Sequence, residues 1–157
     1  MYTIIHTEKC REFAQELANR LQDSRTALVD DVLSSPEGLD DFENLGLVFE
    51  NDGKSLPDSM QSFIRNVLGS CDLKGLDYMF SICLFEGGVG HALKIVEKLC
   101  AKAGCAPSLS LGLDSSSAGD AELDKAVSLI RSGDIQLAKG SLGTSIYMLI
   151  HGIKARG

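Results

Sequence analysis

Two stretches of this 157-residue chain carry residues whose types and spacing suit chemistry. In the first, Glu86-Gly87-Gly88-Val89-Gly90-His91 follows the apolar run Tyr78 to Phe85 and precedes a helical pattern. A glycine turn between a buried strand and a helix N-terminus points backbone N–H groups and the positive end of the helix dipole outward, which suits an anion or phosphate. Gly87, Gly88 and Gly90 would let a ligand approach the backbone closely; the plainer alternative is a tight connection and nothing more. The second stretch is His6-Thr7-Glu8-Lys9-Cys10-Arg11, again between a strand-like run and a helical one. Cys10 at a helix N-terminus is a candidate for a lowered pKa and a reactive thiol, against the commoner case of a small side chain filling a helix turn. His6 and His91 each follow a strand end and could line one cleft, or be two polar residues at helix starts. His6, His91 and His151 show no H-x-x-x-H spacing, and no metal site is expected.

These stretches need elements to position them. Asp77 and Glu86 bound an eight-residue run, YMFSICLF, whose length and β-branched and aromatic content predict a buried strand. From His91 the spacing changes: Leu93, Val96, Leu99 and Cys100 recur at helical intervals until Gly104 ends the pattern. Earlier, Tyr2 to Ile5 predicts a first strand, and Phe13, Ala14, Leu17, Ala18 and Leu21 a first helix. Thr26 to Val29 reads as a second strand ended by Asp30 and Asp31, and Ser34 to Asn44 as a polar connection with room for about one turn between Pro36 and Phe42. Leu45 to Glu50 is the third strand. A loop through Asn51-Asp52-Gly53-Lys54-Ser55-Leu56 then leads to Pro57, suited to the first turn of a helix that buries Met60, Phe63, Ile64, Val67 and Leu68.

Pro107 to Leu113 alternates as a fifth strand, followed by a polar loop at Ser115 to Gly119. Two amphipathic helices close the chain, one with Leu123, Ala126, Val127 and Ile130 and one with Ile146, Leu149, Ile150 and Ile153. The apolar face of the last would pack on the sheet or on another subunit. This alternation predicts a parallel sheet with helices on both faces, in a single domain over residues 1–157.

With 44% hydrophobic and 24% charged residues, neither disorder nor a membrane-spanning chain is expected, and Met1 to Ile5 lack the basic and apolar regions of a secretory signal. The odd count of five cysteines, with no C-x-x-C, predicts reduced thiols and a cytoplasmic location. A net charge of −7 argues against nucleic acid as a partner. The acidic surface serves solubility or steers a basic partner protein.

The order of elements, the stretch Tyr2 to Leu21, the passage LPDSMQSFIRNV within Leu45 to Val67, and the passage FEGGVGHALKIVEKLC from Phe85 to Cys100 resemble the flavodoxin-like family across nearly the whole chain. That resemblance implies a three-layer α/β sandwich with a five-stranded parallel sheet in the order 2-1-3-4-5. It also implies FMN bound across three loops: His6 to Arg11, Asn51 to Leu56 and Phe85 to His91. The family's phosphate loop reads approximately S/T-x-T-G-N-S/T. A gapless placement on Ile5 to Cys10 keeps only Thr7 and puts Glu8 at the glycine, where a carboxylate repels a phosphate unless Lys9 and Arg11 turn inward to offset it. The Asn51 to Leu56 loop has no aromatic residue to stack on a flavin, and Phe85, nearest the third loop, is expected to pack in the core.

Three functions fit these residues. The first is an FMN-binding electron-transfer or reductase domain, with the flavin edge exposed to a redox partner protein and no side chain acting as acid or base. The second is a binding or regulatory module that keeps the fold and has lost FMN, for which Glu8 speaks. The third is an NAD(P) site at Gly88-Val89-Gly90 with Asp114 toward a ribose; here the G-x-G-x-x-G/A fingerprint is incomplete, with Leu93 at its last position, and falls on the fourth strand.

Overall fold

The β-branched and aromatic residues from Tyr2 to Ile5 favour extended backbone, and Tyr2–His6 forms β1. The structure, a computed structural model, describes residues 1–37, 42–51, 55–87, 90–115, 119–133 and 135. A 3-10 turn, Glu8–Cys10, leads into α1 (Arg11–Leu21), which buries Ala14, Leu17 and Leu21 on one stripe. The remaining elements are β2 (Ser24–Leu28), α2 (Val29–Ser34), β3 (Asn44–Glu50), α3 (Asp58–Ser62), β4 (Tyr78–Phe85), α4 (Ala92–Ala103), β5 (Leu109–Asp114) and α5 (Asp120–Ser132). A wide π-type turn, Phe63–Val67, and a 3-10 turn, Leu68–Ser70, prolong α3.

All five strands are parallel, in the order β2-β1-β3-β4-β5, as the resemblance implies. Because side chains alternate across a strand, β3 feeds both faces. Leu45, Leu47 and Phe49 join a core shared with α2, α3 and α4, while Val48 joins one shared with α1 and α5. Helices therefore cover both faces of the sheet; the inner strands β1, β3 and β4 are mostly buried, and the edge strand β2 is only partly so.

Several boundaries differ from the sequence expectation. The second strand ends at Leu28, not Val29: Val29 opens the short helix α2, whose first turn carries Asp30 and Asp31, the charge that a helix N-terminus favours. This helix supplies the crossover between the second and third strands, ahead of the Pro36–Phe42 stretch where a turn was expected; residues 38–41 of that stretch lie outside the described residues. Strand β5 begins at Leu109 because Pro107 has no N–H to give the ladder; Ser108 makes the first bond, its N–H donating to Met79 O at 2.8 Å. Pro57 caps α3 from outside, in extended backbone, instead of lying in its first turn. Gly104 ends α4 as expected, with φ of 94° at the left-handed cap position. Ile146, Leu149, Ile150 and Ile153, with their proposed packing, lie outside the described residues. No helix among the described residues is long and apolar enough to cross a membrane.

Candidate functional site

In a parallel sheet every strand delivers its carboxyl end to the same edge, so the residues after β1, β3, β4 and β5 gather there. Each loop begins by extending the ladder. The N–H of Thr7 donates to Val48 O at 3.1 Å, that of Asn51 to Leu84 O at 3.0 Å, and that of Ser115 to Phe85 O at 2.8 Å. Strand β1 pairs with β2 on one side and β3 on the other, and the helices after β1 and β3 cover opposite faces. The crevice between the ends of β1 and β3 is thus the topological switch point, where α/β sheets take ligands.

Glu50, the last residue of β3, fills this crevice. Its half-buried carboxylate accepts a hydrogen bond from the Thr7 hydroxyl, and the Cys10 thiol donates to the same oxygen at 3.5 Å. Thr7 and Cys10 bracket the turn that opens α1, and the N–H groups of Cys10 and Arg11 bond to Thr7 O and Glu8 O within that turn. The helix entrance, which would draw an anion from solution, already has an internal carboxylate beside it. Nothing in the sequence pattern near Thr7 points to Glu50, 43 positions along the chain. The signal lay in the expected strand order, which puts the end of the third strand beside the end of the first.

The residues expected in the first loop fall into two groups. His6, Thr7 and Cys10 are buried, with His6 Nδ1 at 2.8 Å from Thr7 O. Glu8, Lys9 and Arg11 are exposed. Arg11 does not turn inward to offset charge in the crevice; it pairs with Glu8 at the surface, Nη2 to Oε2 at 2.6 Å and Nε to Oε1 at 3.2 Å. That hydrogen-bonded guanidinium holds the Glu8 carboxyl below its ordinary range. Glu8 is therefore not the carboxylate that meets Thr7; Glu50 is.

Cys10 is not an activated thiol. Burial, followed by the charge of Glu50, pushes its pKa up to about 12 against the lowering effect of the Thr7 contact, which outweighs its helix-N-terminal position. Cys83, on β4, is pushed up to about 12 for the same leading reason. In the folded protein near neutral pH, Cys10 is expected to resist iodoacetamide and to be labelled only after denaturation; peptide mapping of alkylated sites checks this. Fast labelling of Cys10 in the native state would contradict the burial and charge argument.

The other two loops contribute less. Asn51 is partly buried at the edge, and Ser55 is exposed. Leu56 belongs to the hydrophobic core with Met60 and Phe63, not to a ligand-lining surface. Asp52, Gly53 and Lys54 lie outside the described residues, as do Gly88 and Val89. Phe85 was expected in the core, yet as the last residue of β4, at the carboxyl edge of the sheet, it is only partly buried and belongs to neither core cluster. Its carbonyl accepts from the Ser115 N–H and hydroxyl. Glu86, Gly87, Gly90 and His91 are exposed, with φ of 80° at Gly87 and 60° at Gly90, the left-handed backbone that glycine adopts without strain. His6 is buried and His91 exposed, so the two share no common environment. The glycine turn follows the fourth strand of a 2-1-3-4-5 sheet, which is not the first-strand position of a dinucleotide fingerprint.

No protein-family model matches the chain, and no curated protein matches its sequence. Solved structures do. The rubredoxin oxygen:oxidoreductase of Desulfovibrio gigas matches with a TM-score of 0.66 at 10% identity, over 84% of this chain and 34% of that one, so this chain spans about a third of its length. A flavodoxin from the domain Archaea matches with a TM-score of 0.63 at 15% identity over 100% of both chains. A Fusobacterium nucleatum flavodoxin bound to flavin mononucleotide matches with a TM-score of 0.63 at 14% identity, over 83% of this chain and 96% of that one. The fold is flavodoxin-like; at these identities the likeness extends to the fold alone.

Proposed function

We propose that this chain is a binding module of flavodoxin-like fold whose carboxyl-edge crevice does not take the phosphate of FMN. One observation carries this reading: the Thr7 hydroxyl and the Cys10 thiol are both committed to the Glu50 carboxylate at the entrance of α1. Thr7 is the one residue retained from the family's phosphate-loop pattern, and its hydroxyl is spent inside the protein. A phosphate entering the crevice would meet a fixed negative charge. At about 4 Å and an effective dielectric of about 20, each pair of unit charges repels by about 4 kcal/mol. That is close to a thousandfold in affinity, since each 1.4 kcal/mol or so is tenfold. The residues present do not fit FMN by its phosphate, and the edge is suited to a neutral or cationic ligand, or to a protein partner with a basic contact surface.

The second reading is an FMN-binding electron-transfer domain that meets a redox partner protein. The fold likeness to a flavodoxin bound to flavin mononucleotide and the positive-φ glycines of the third loop favour it. One titration separates the two. The purified chain is titrated with FMN, FAD and riboflavin, following quenching of flavin fluorescence. No saturable quenching by FMN into the high micromolar range is the expected result, and tight binding of FMN but not riboflavin would overturn it. The isosteric change Glu50→Gln keeps an acceptor for Thr7 but removes the charge, and is expected to strengthen any residual FMN association by roughly tenfold or more without moving riboflavin.

A further inference from the structure

At the opposite, amino edge of the sheet, a second feature stands apart from the crevice. The described residues leave a hollow of about 930 Å³ there, lined by Asp77, Tyr78, Gly104, Cys105, Ser108 and Arg131 among others. Cys105 faces it and is partly exposed, while Cys100, in the last turns of α4, is fully buried directly behind. The turn that ends α4 holds the pair together. Gly104 takes the left-handed conformation, and the Cys105 N–H donates back to Cys100 O at 3.0 Å, the six-to-one bond of a Schellman cap. That cap bond brings the C″ residue Cys105 back over the C3 residue Cys100, the two positions whose side chains meet in this motif.

We propose that Cys100 and Cys105 are a dithiol exchange site that reacts with low-molecular-weight disulfides entering this hollow, Cys105 as the attacking sulfur and Cys100 as the resolving one. The hydrogen bond from Cys100 stabilises the Cys105 thiolate and lowers its pKa against the opposing effect of burial, while the same bond and burial raise that of Cys100. This division suits the two roles: the partly exposed sulfur is the more readily ionised, and the buried one holds its proton more tightly. The Cys105 thiolate attacks one sulfur of the small disulfide; that S–S bond breaks, and the departing sulfur leaves as a thiolate that takes a proton from water. Cys100 then loses its proton to solvent and attacks Cys105 in the mixed disulfide, and the second small thiol departs. Two protein thiols are oxidised to one disulfide, and one small disulfide is reduced to two thiols. The backbone need not move far, since a disulfide requires Cα atoms within about 7 Å and the cap bond ties the two residues across one turn.

The test uses the full reduced chain with oxidised glutathione at pH 7.5, quenched with acid and N-ethylmaleimide and digested with trypsin without reductant. Lys102 lies between the two cysteines, so the disulfide joins peptides 99–102 and 103–125. That cross-linked pair is the expected product, with Cys105 reacting roughly tenfold faster than Cys71, the other partly exposed cysteine. Cys100→Ser is expected to stop at glutathione on Cys105, and Cys105→Ser to abolish both products. Wild-type protein that halts at the mixed disulfide, or that oxidises Cys71 as readily as Cys105, overturns the assignment. The wild-type digest decides this by itself if the buried Cys100 variant folds poorly.

Discussion

Gly46→Ala is expected to cost about 3 kcal/mol or more, at or above the upper end of ordinary overpacking in a core. Gly46 lies in β3, the middle strand, and faces Phe80 across the ladder to β4. A Cβ built there would sit 2.2, 2.5 and 2.8 Å from three atoms of the Phe80 ring. Real carbon contacts do not come that close, so something has to move. The ring has nowhere easy to go: Phe80 is fully buried, with the rings of Tyr2 and Tyr78 each 6.5 Å away, centroid to centroid. Urea unfolding of wild type, Gly46→Ala and the double variant Gly46→Ala/Phe80→Leu checks this. The smaller leucine side chain lacks the ring atoms that clash, so the double variant should be more stable than Gly46→Ala alone. If Gly46→Ala costs less than about 1 kcal/mol, the close approach of ring and backbone is not a constraint on this sheet.

The parts of the fold that were legible in the sequence are those with a long, clean pattern. The run YMFSICLF between Asp77 and Glu86 is β4 to the residue, and the 3.6-residue spacing through Leu93, Val96, Leu99 and Cys100 is α4 up to its Gly104 cap. Thr26-Ala27-Leu28-Val29 misled because four consecutive β-compatible residues outweigh a six-residue helix, which is too short to show a period; only Asp30 and Asp31 marked its first turn. Gly46 carried a signal of its own kind, a glycine inside a strand, which marks close approach by another group.

The candidate site was less legible, for a physical reason. Its loops were found from local patterns, since glycines, histidines and strand ends are neighbours in sequence. What decides their chemistry is the long-range contact of Thr7 and Cys10 with Glu50, which exists only once β1 and β3 lie side by side. Read locally, Glu8 looked like the intruding carboxylate, and Cys10 stood between a reactive thiol and the commoner small side chain filling a helix turn. Side-chain direction reversed the first and decided the second: Glu8 turns out to Arg11, and Cys10 turns in to the half-buried Glu50 carboxylate.

The other face of β3 supplies the complementary expectation. Phe49 is fully buried in the cluster that includes Met60, Phe63 and Val96, and lies in register with Cys83. Phe49→Ala leaves a cavity in close-packed surroundings, so a loss of about 3–5 kcal/mol is expected. For a chain of this length that lowers the Tm by on the order of 10 °C. Phe49→Leu, which fills much of the space, should cost roughly half or less. The effect should also reach the crevice. Glu50 follows Phe49 directly, and its hold on Thr7 and Cys10 depends on the end of β3 staying docked. Loosening that end raises the population of locally open states, in which Cys10 leaves its buried contact. Native-state labelling of Cys10 by iodoacetamide should therefore accelerate in Phe49→Ala under conditions where the variant is still folded. Gly46→Ala serves as the comparison: its strain falls four residues from Glu50, nearer the start of the strand, so at matched stability it should accelerate Cys10 less. Equal acceleration in both would mean that Cys10 is reached only by global unfolding, and that Phe49 has no particular hold on the carboxyl edge.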